Sequence, residues 1–426
     1  MFRRPQVSPL NVVLCLTDVI DLVSTRLQKH HKQVGYCAWR LARQMDMSPC
    51  ETARTVIAGL THDCGAFSLH ERERLADFEA EFRTDDAHSH ARRGATLLER
   101  VNWFAPVGEL VRWHHRHWSE GTRSVPLGSQ VLHLSDRVSV SASPEQCIMA
   151  QAPDIREKIQ RYSGDMFNPE VVEAFMEVSE TESFWFDLDS DRLRRVLRDA
   201  PSRRTADLDR EGMSQLIRLF SYIIDFRSRF TATHSAGVAA GAKAIAGQMG
   251  FNDTERRQME AAGHLHDLGK LAVPAETLEH NGELNARQRA NMKKHPYFGY
   301  RSLEQLPQLE TVSEWAFLHH ERVDGSGYPF GLARDELPLG ARIMAVADVF
   351  GALNEERPYR DRMPSDRALG ILREEVADGK LDGRVVDVLE ENLGTVMTQM
   401  QRARKRSREH YEQMSAAIER SAVPAQ

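Results

Sequence analysis

The chain has 426 residues, 41% of them hydrophobic and 28% charged, which suits a folded protein of two or three domains rather than a disordered one. Its formal net charge of −6 argues against coating a nucleic-acid polymer, and no run approaches the roughly 20 apolar residues of a membrane span. The five cysteines, Cys15, Cys37, Cys50, Cys64 and Cys147, all fall in the first half without CxxC spacing, so reduced thiols in a cytoplasmic setting are expected instead of disulfides.

The opening stretch, MFRRPQVSPLNVVLCLTDVIDLVS, has a leader-like apolar run. Asp18 and Asp21 interrupt it and no small-residue cleavage site follows, so an amphipathic helix is expected. Further along, TARTVIAGLTHD, SQLIRLFSYIIDF, ARIMAVADVFGAL and RVVDVLEENLGTVM repeat apolar residues every three or four positions. No alternating β-branched run with a hairpin turn accompanies them, and the expected fold class is all-α. Residues 189–212 are polar and interrupted by Pro201, which places a domain boundary there and predicts domains over 1–195 and 205–426. The arginines of 192–204 and the basic part of the tail are interspersed with Asp and Glu and read as solvated helix faces, not a nucleic-acid patch. The tail from Met397 to Arg420 reads as a charged amphipathic helix for packing, with homodimer contact as the alternative.

One pattern is written twice. The second half carries His234, His266, Asp267, His295, His319, His320 and Asp348; the first carries His30, His62, Asp63, His90, His114, His115 and Asp136. The step from the first His to the His-Asp pair is 32 residues in both halves; the next is 29 against 28, and the step to the His pair is 24 in both. Packing positions repeat as well: VGYCAWRLARQM (34–45) matches VAAGAKAIAGQM (238–249), and HARRGATLLE (90–99) matches HPYFGYRSLE (295–304). Two tandem helical domains related by internal duplication are therefore expected. Imidazole-rich ladders with carboxylates suit iron, manganese or zinc better than magnesium. The adjacent His266-Asp267 pair can give one cation an imidazole and span two cations with a carboxylate. His264 and His280 have no counterparts in the first half and stand outside the ladder.

HDLGK, then HHERVDGSGYP (319–329), then ARIMAVADVFGALNEERPYR (341–360) resembles the HD-GYP family, bacterial phosphodiesterases of cyclic dinucleotides within the HD phosphohydrolase superfamily. The resemblance covers roughly residues 215–395 and implies HD-type domains with a centre of two or three metal ions, usually iron or manganese. It implies cyclic di-GMP as substrate, opened to the linear 5′-phosphorylated dinucleotide by a hydroxide held between cations. Asp267 and Lys270 are then the catalytic candidates, with Lys270, Tyr328, Arg357 and Arg360 as substrate contacts. The glycine-rich DGSGYP turn is also a docking surface for a protein partner in such a protein. Some members carry a Glu four residues before the first histidine, where it helps hold a third ion; here that position is Phe230, which cannot ligate, so two divalent ions are expected.

The first half keeps all seven candidate ligands but has Ala66 in place of Lys270, and neither the GYP loop nor an RPYR segment. It reads either as a relict that retains metal or as a simpler phosphohydrolase that removes the 5′-phosphate of the linear product. Cyclic GMP–AMP is the alternative substrate, because the motifs handle phosphate and metal, not bases. A non-catalytic nucleotide sensor or docking protein is the alternative from another class. The joint presence of Lys270, the ladder and the loop weighs against it.

Overall fold

A computed structural model describes residues 8–21, 29–66, 86–121, 125–199, 210–227, 233–278, 280, 282–304, 306–355 and 362–422. Among these residues the secondary structure is helical; the β-type pairings are two isolated bridges, Ser163–Phe167 and Asp324–Ala333. No described helix is long and apolar enough to cross a membrane. The chain forms two compact units, Met1–Met213 with Ala416–Gln426, and Ser214–Ser415.

The duplication is visible helix by helix. His30–Gln44, Pro49–Thr61, Asp86–Leu98, Ala105–Arg112 and Leu127–Ser141 in the first unit answer to His234–Gln248, Asp253–Leu265, His295–Leu303, Glu310–Phe317 and Leu339–Leu353 in the second. The second helix of each set is started by a capping box, Ser48 with Glu51 and Asn252 with Glu255, which satisfies backbone N–H groups the helix leaves unpaired. Val34, Cys37, Ala38, Leu41 and Ala42 bury one stripe of the first helix, as Val238, Ala242, Ile245 and Ala246 do in the second unit. The two helices cross closely at matching places. A side chain at Gly59 would press on the Gly35 backbone, and one at Gly263 would run into Ala239.

The opening helix spans Pro9–Asp21, with Leu10, Val12, Val13, Leu14 and Cys15 buried. Its last residue, Asp21, is buried and accepts hydrogen bonds from His31 Nδ1 at 2.6 Å and Lys32 Nζ at 3.0 Å. Burial alone would raise the Asp21 pKa, but the Lys32 charge and the His31 ring outweigh it and hold the carboxyl below its ordinary value. A depressed folded-state value stabilises the fold above the unfolded carboxylate pKa, and that stability is lost as pH falls through the folded value. Asp21→Asn is expected to cost about 2 kcal/mol at pH 7, and the gap to wild type should narrow below pH ~4. Denaturant titrations at pH 7 and pH 3 check this; an equal cost at both would defeat it.

The polar stretch 189–212 holds more structure than its composition indicates. Leu193–Asp199 is a helix with Leu193 and Leu197 buried. Its Arg194 reaches Cys15 Sγ at 3.2 Å and pairs with Asp18, so this arginine is spent inside the first unit. An i, i+4 pair of leucines is enough to dock a helix whose other faces are charged. The tail is a helix over Leu393–Ala422, with Val396 and Met400 buried against the second unit's core.

Candidate metal centre

In the second unit, helix Asp253–Leu265 ends at His266, and the 3-10 turn Leu268–Ala272 follows Asp267. Gly269 in that turn lies against the carbonyl oxygen of His295, where any side chain would collide. Gly65 makes the same approach to His90 in the first unit. The glycine kept in both halves thus lets the His-Asp turn press onto the helix bearing the next histidine.

The ring protons are assigned by their partners. His266 Nδ1 donates to Gly263 O at 2.8 Å, His295 Nδ1 to Met292 O at 2.8 Å and His319 Nδ1 to Ala316 O at 2.5 Å. In the first unit, His62 and His114 donate to Gly59 O and Val111 O at 2.8 and 2.6 Å. A carbonyl can only accept, so each Nδ1 carries the proton and each Nε2 turns a lone pair inward. His295 Nε2 and His319 Nε2 then face each other at 3.4 Å, lone pair to lone pair. His266 Nε2 and His114 Nε2 are buried without a hydrogen-bond partner. Such a cage is repulsive on its own and complete with a cation inside it.

The seven second-half candidates converge. His234, His266 and Asp348 form one group of potential ligand atoms within 4.8 Å of one another, and His295, His319 and His320 form another. Asp267 stands between the groups. Its Oδ2 is 3.3 Å from His266 Nε2 and its Oδ1 is 3.5 Å from His295 Nε2. The first half repeats the arrangement: Asp63 Oδ2 lies 3.4 Å from His62 Nε2 and Asp63 Oδ1 lies 3.1 Å from His90 Nε2. His90, His114 and His115 form one group there; His30 with His62 and Asp63, and His62 with His114 and Asp136, form others.

The electrostatics ask for positive charge at the centre. Burial would depress His234, but Asp348 and Glu355 outweigh it and raise the ring to about 9; Asp63 and Asp136 likewise raise His62 to about 10. Burial pushes His295 down to about 3 and His320 to about 4, so those rings stay neutral and available as ligands. Asp267 and Asp348 are held well below the ordinary carboxylate range against the cost of burial, Asp267 chiefly by His266 and Lys270, and Asp348 chiefly by His234. In both halves the donor set, the buried lone pairs and the charge fit divalent transition-metal ions.

Around this centre the halves differ. Lys270 Nζ lies 2.7 Å from Asp267 Oδ2 and remains partly exposed. The first half has buried Ala66 there. Its nearby cation is Arg137, fully buried, which donates to Asp136 Oδ2 at 2.6 Å; the second half has Val349 at that place. The glycine-rich loop occurs in the second unit. Gly325 takes φ 81°, and a side chain at Gly327 would strike the backbone of Glu321 and Arg322. Buried Glu321 clamps the loop by accepting from Phe330 N at 2.7 Å and Leu332 N at 3.0 Å. The Tyr328 ring is thereby stacked on His320, with centroids 4.8 Å apart.

The HD domain family matches residues 218–385 and, separately, residues 27–141. Over 392 residues the chain is 30% identical to 3′3′-cGAMP-specific phosphodiesterase 1 of Vibrio cholerae, covering 89% of this chain and 90% of that protein. The chain belongs to the HD-GYP family of cyclic-dinucleotide phosphodiesterases. Another HD-GYP relative, a cyclic di-GMP phosphodiesterase response regulator of Xanthomonas campestris, is 40% identical over 195 residues, 45% of this chain and 50% of that protein. The fold is shared with a solved cyclic GMP-AMP specific phosphodiesterase of V. cholerae, at TM-score 0.66 and 23% identity, covering 92% of this chain and 98% of that one.

All fourteen ladder residues and Lys270 and Tyr328 fall at two clusters, one in each unit; Arg357, Arg360 and Phe230 lie outside the described residues. Outside the ladder, His264 Nδ1 faces Ser221 Oγ at 3.4 Å. Sequence reasoning missed Glu321, Glu355 and Arg137. Each is a charged residue inside or next to a motif, where composition predicts exposure, and the folded surroundings bury it.

Proposed function

We propose that the second half hydrolyses a cyclic dinucleotide at a centre of two iron or manganese ions, with 3′3′-cGAMP preferred and the linear 5′-phosphorylated dinucleotide as product. The observation that carries the reading is Asp267, whose two oxygens address two different imidazole groups at 3.3 and 3.5 Å. His234, His266 and Asp348 would hold one ion and His295, His319 and His320 the other, with Asp267 between them. Bound cations supply a nucleophile at neutral pH and neutralise charge on the phosphoryl oxygens. Lys270 stands beside Asp267, where it adds a positive charge to the phosphate. Arg357 and Arg360 would grip phosphate with bidentate forks, and Tyr328 would line the pocket beside His320. Phe230 supplies no third-ion ligand.

Sequence motifs alone put cyclic di-GMP first. The preference for 3′3′-cGAMP rests on the V. cholerae relative that shares both halves, whereas the Xanthomonas cyclic di-GMP enzyme matches 45% of the chain. The first half, with Ala66 and a buried Arg137, would retain metal without hydrolysing a substrate. The protein would act in the cytoplasm, with its five cysteines reduced.

Chromatography of products from 3′3′-cGAMP, cyclic di-GMP and cyclic di-AMP, using manganese-loaded protein, tests the reading. Fastest opening of 3′3′-cGAMP is expected; faster cyclic di-GMP opening would overturn the base preference, and no turnover of any would sink the activity. Offering the linear product to wild type and to His62→Ala should show no phosphate release that depends on His62. Metal analysis after His62→Ala and His90→Ala should leave two ions per chain, and three would overturn the count.

A further inference from the structure

His234 has a problem that the other inner histidines do not. His266, His295 and His319 each find a carbonyl three residues earlier for Nδ1. His234 is the first residue of its helix. Its Nδ1 faces Glu355 Oε2 at 3.2 Å instead of a carbonyl. Glu355 is buried, and its other oxygen accepts from Thr233 Oγ1 at 2.7 Å.

Glu355 is held from behind by the tail helix. Arg404 donates to Gly351 O at 3.0 Å and Asn354 O at 3.1 Å, carbonyls that the end of helix Leu339–Leu353 leaves unpaired. It passes over Gly237, where any side chain would meet its guanidinium.

The first half solves the same problem with different parts. His30 also opens its helix, and its Nδ1 meets Ser139 Oγ at 2.9 Å. Ser139 in turn donates to Gln33 Oε1 at 2.9 Å. Gln33 is three residues after His30, as Gly237 is after His234. Deleting the Gln33-type side chain in the second half makes the room that Arg404 occupies. One half thus backs its first histidine with a neutral hydroxyl, the other with a carboxylate.

We propose that Glu355 and Arg404 are positioning residues of the catalytic metal centre: Glu355 orients His234 and makes it a stronger ligand, and Arg404 fixes the backbone that carries Glu355. This rests on reading the cluster as a metal site, not on which nucleotide it hydrolyses. A carboxylate behind a ligating imidazole fixes the ring and raises its donor strength, and its loss commonly lowers metal affinity about 10–100-fold.

The test is titration of the metal-free full-length chain with Mn2+, followed by the electron paramagnetic resonance of the free ion. Glu355→Gln keeps the shape and removes the charge. One class of site should weaken about 10–100-fold while the remaining sites and the circular dichroism spectrum stay as in wild type. Arg404→Met should weaken the same class by a smaller factor, and it carries the test if the Gln variant does not fold. Wild-type affinity in both folded variants overturns the proposal. A wild-type chain that takes up no Mn2+ sinks the metal centre and this inference with it; uptake without turnover sinks the hydrolase reading alone.

Discussion

Asp267→Ala should abolish cyclic-dinucleotide hydrolysis, by about 10³-fold or more, and release metal from the second unit. No other side chain described here addresses both imidazole groups of that unit, one oxygen to each. Without it, His266 and His295 lose the anion between them, and nothing joins the two groups. Asp267→Asn should be nearly as damaging, since an amide keeps the shape but supplies no charge to balance two dications. The stabilisation gained from added Mn2+ should shrink as well. Product chromatography together with metal analysis checks this. Turnover within tenfold of wild type in the alanine variant would show that Asp267 does not join the two groups.

Lys270→Met is expected to separate chemistry from metal binding. The ammonium sits 2.7 Å from Asp267 and is the feature whose loss most clearly distinguishes the first half. A cation at that place is worth most as negative charge builds on the phosphoryl oxygens, so kcat should fall about 10²-fold. Metal content should remain at the wild-type level, because no imidazole depends on Lys270 for its orientation. Steady-state kinetics on 3′3′-cGAMP alongside metal analysis distinguishes the outcomes. A kcat within threefold of wild type would relegate Lys270 to a surface ion pair with Asp267. Loss of metal would make it a structural partner of the bridging carboxylate.

Much of the centre was legible because ligation demands particular side chains and helices fix their register. His62 and His266 could be paired across the halves by counting alone, and so could the glycines at 65 and 269. Helical periodicity likewise anticipated the fold class and the tail helix. The helix Leu193–Asp199 was not legible because two leucines among arginines and aspartates give too weak a periodic signal. Glu321 gave no signal at all. An acid following two histidines is expected in solvent, and its burial depends on Phe330 and Leu332 returning to it across a loop.

The sequence by itself determined that the chain is duplicated, helical and built around two sets of metal-seeking residues, since these follow from residue chemistry and spacing. Tertiary structure alone decided which oxygen of Asp267 meets which imidazole, that Arg137 neutralises Asp136 from inside, and that Glu355 and Arg404 stand behind His234. The reason is physical. A ligand's identity is carried by its own side chain, but its charge state and orientation are set by the neighbours that folding places around it, as near in the chain as Arg137 to Asp136 and as far as Glu355 from His234.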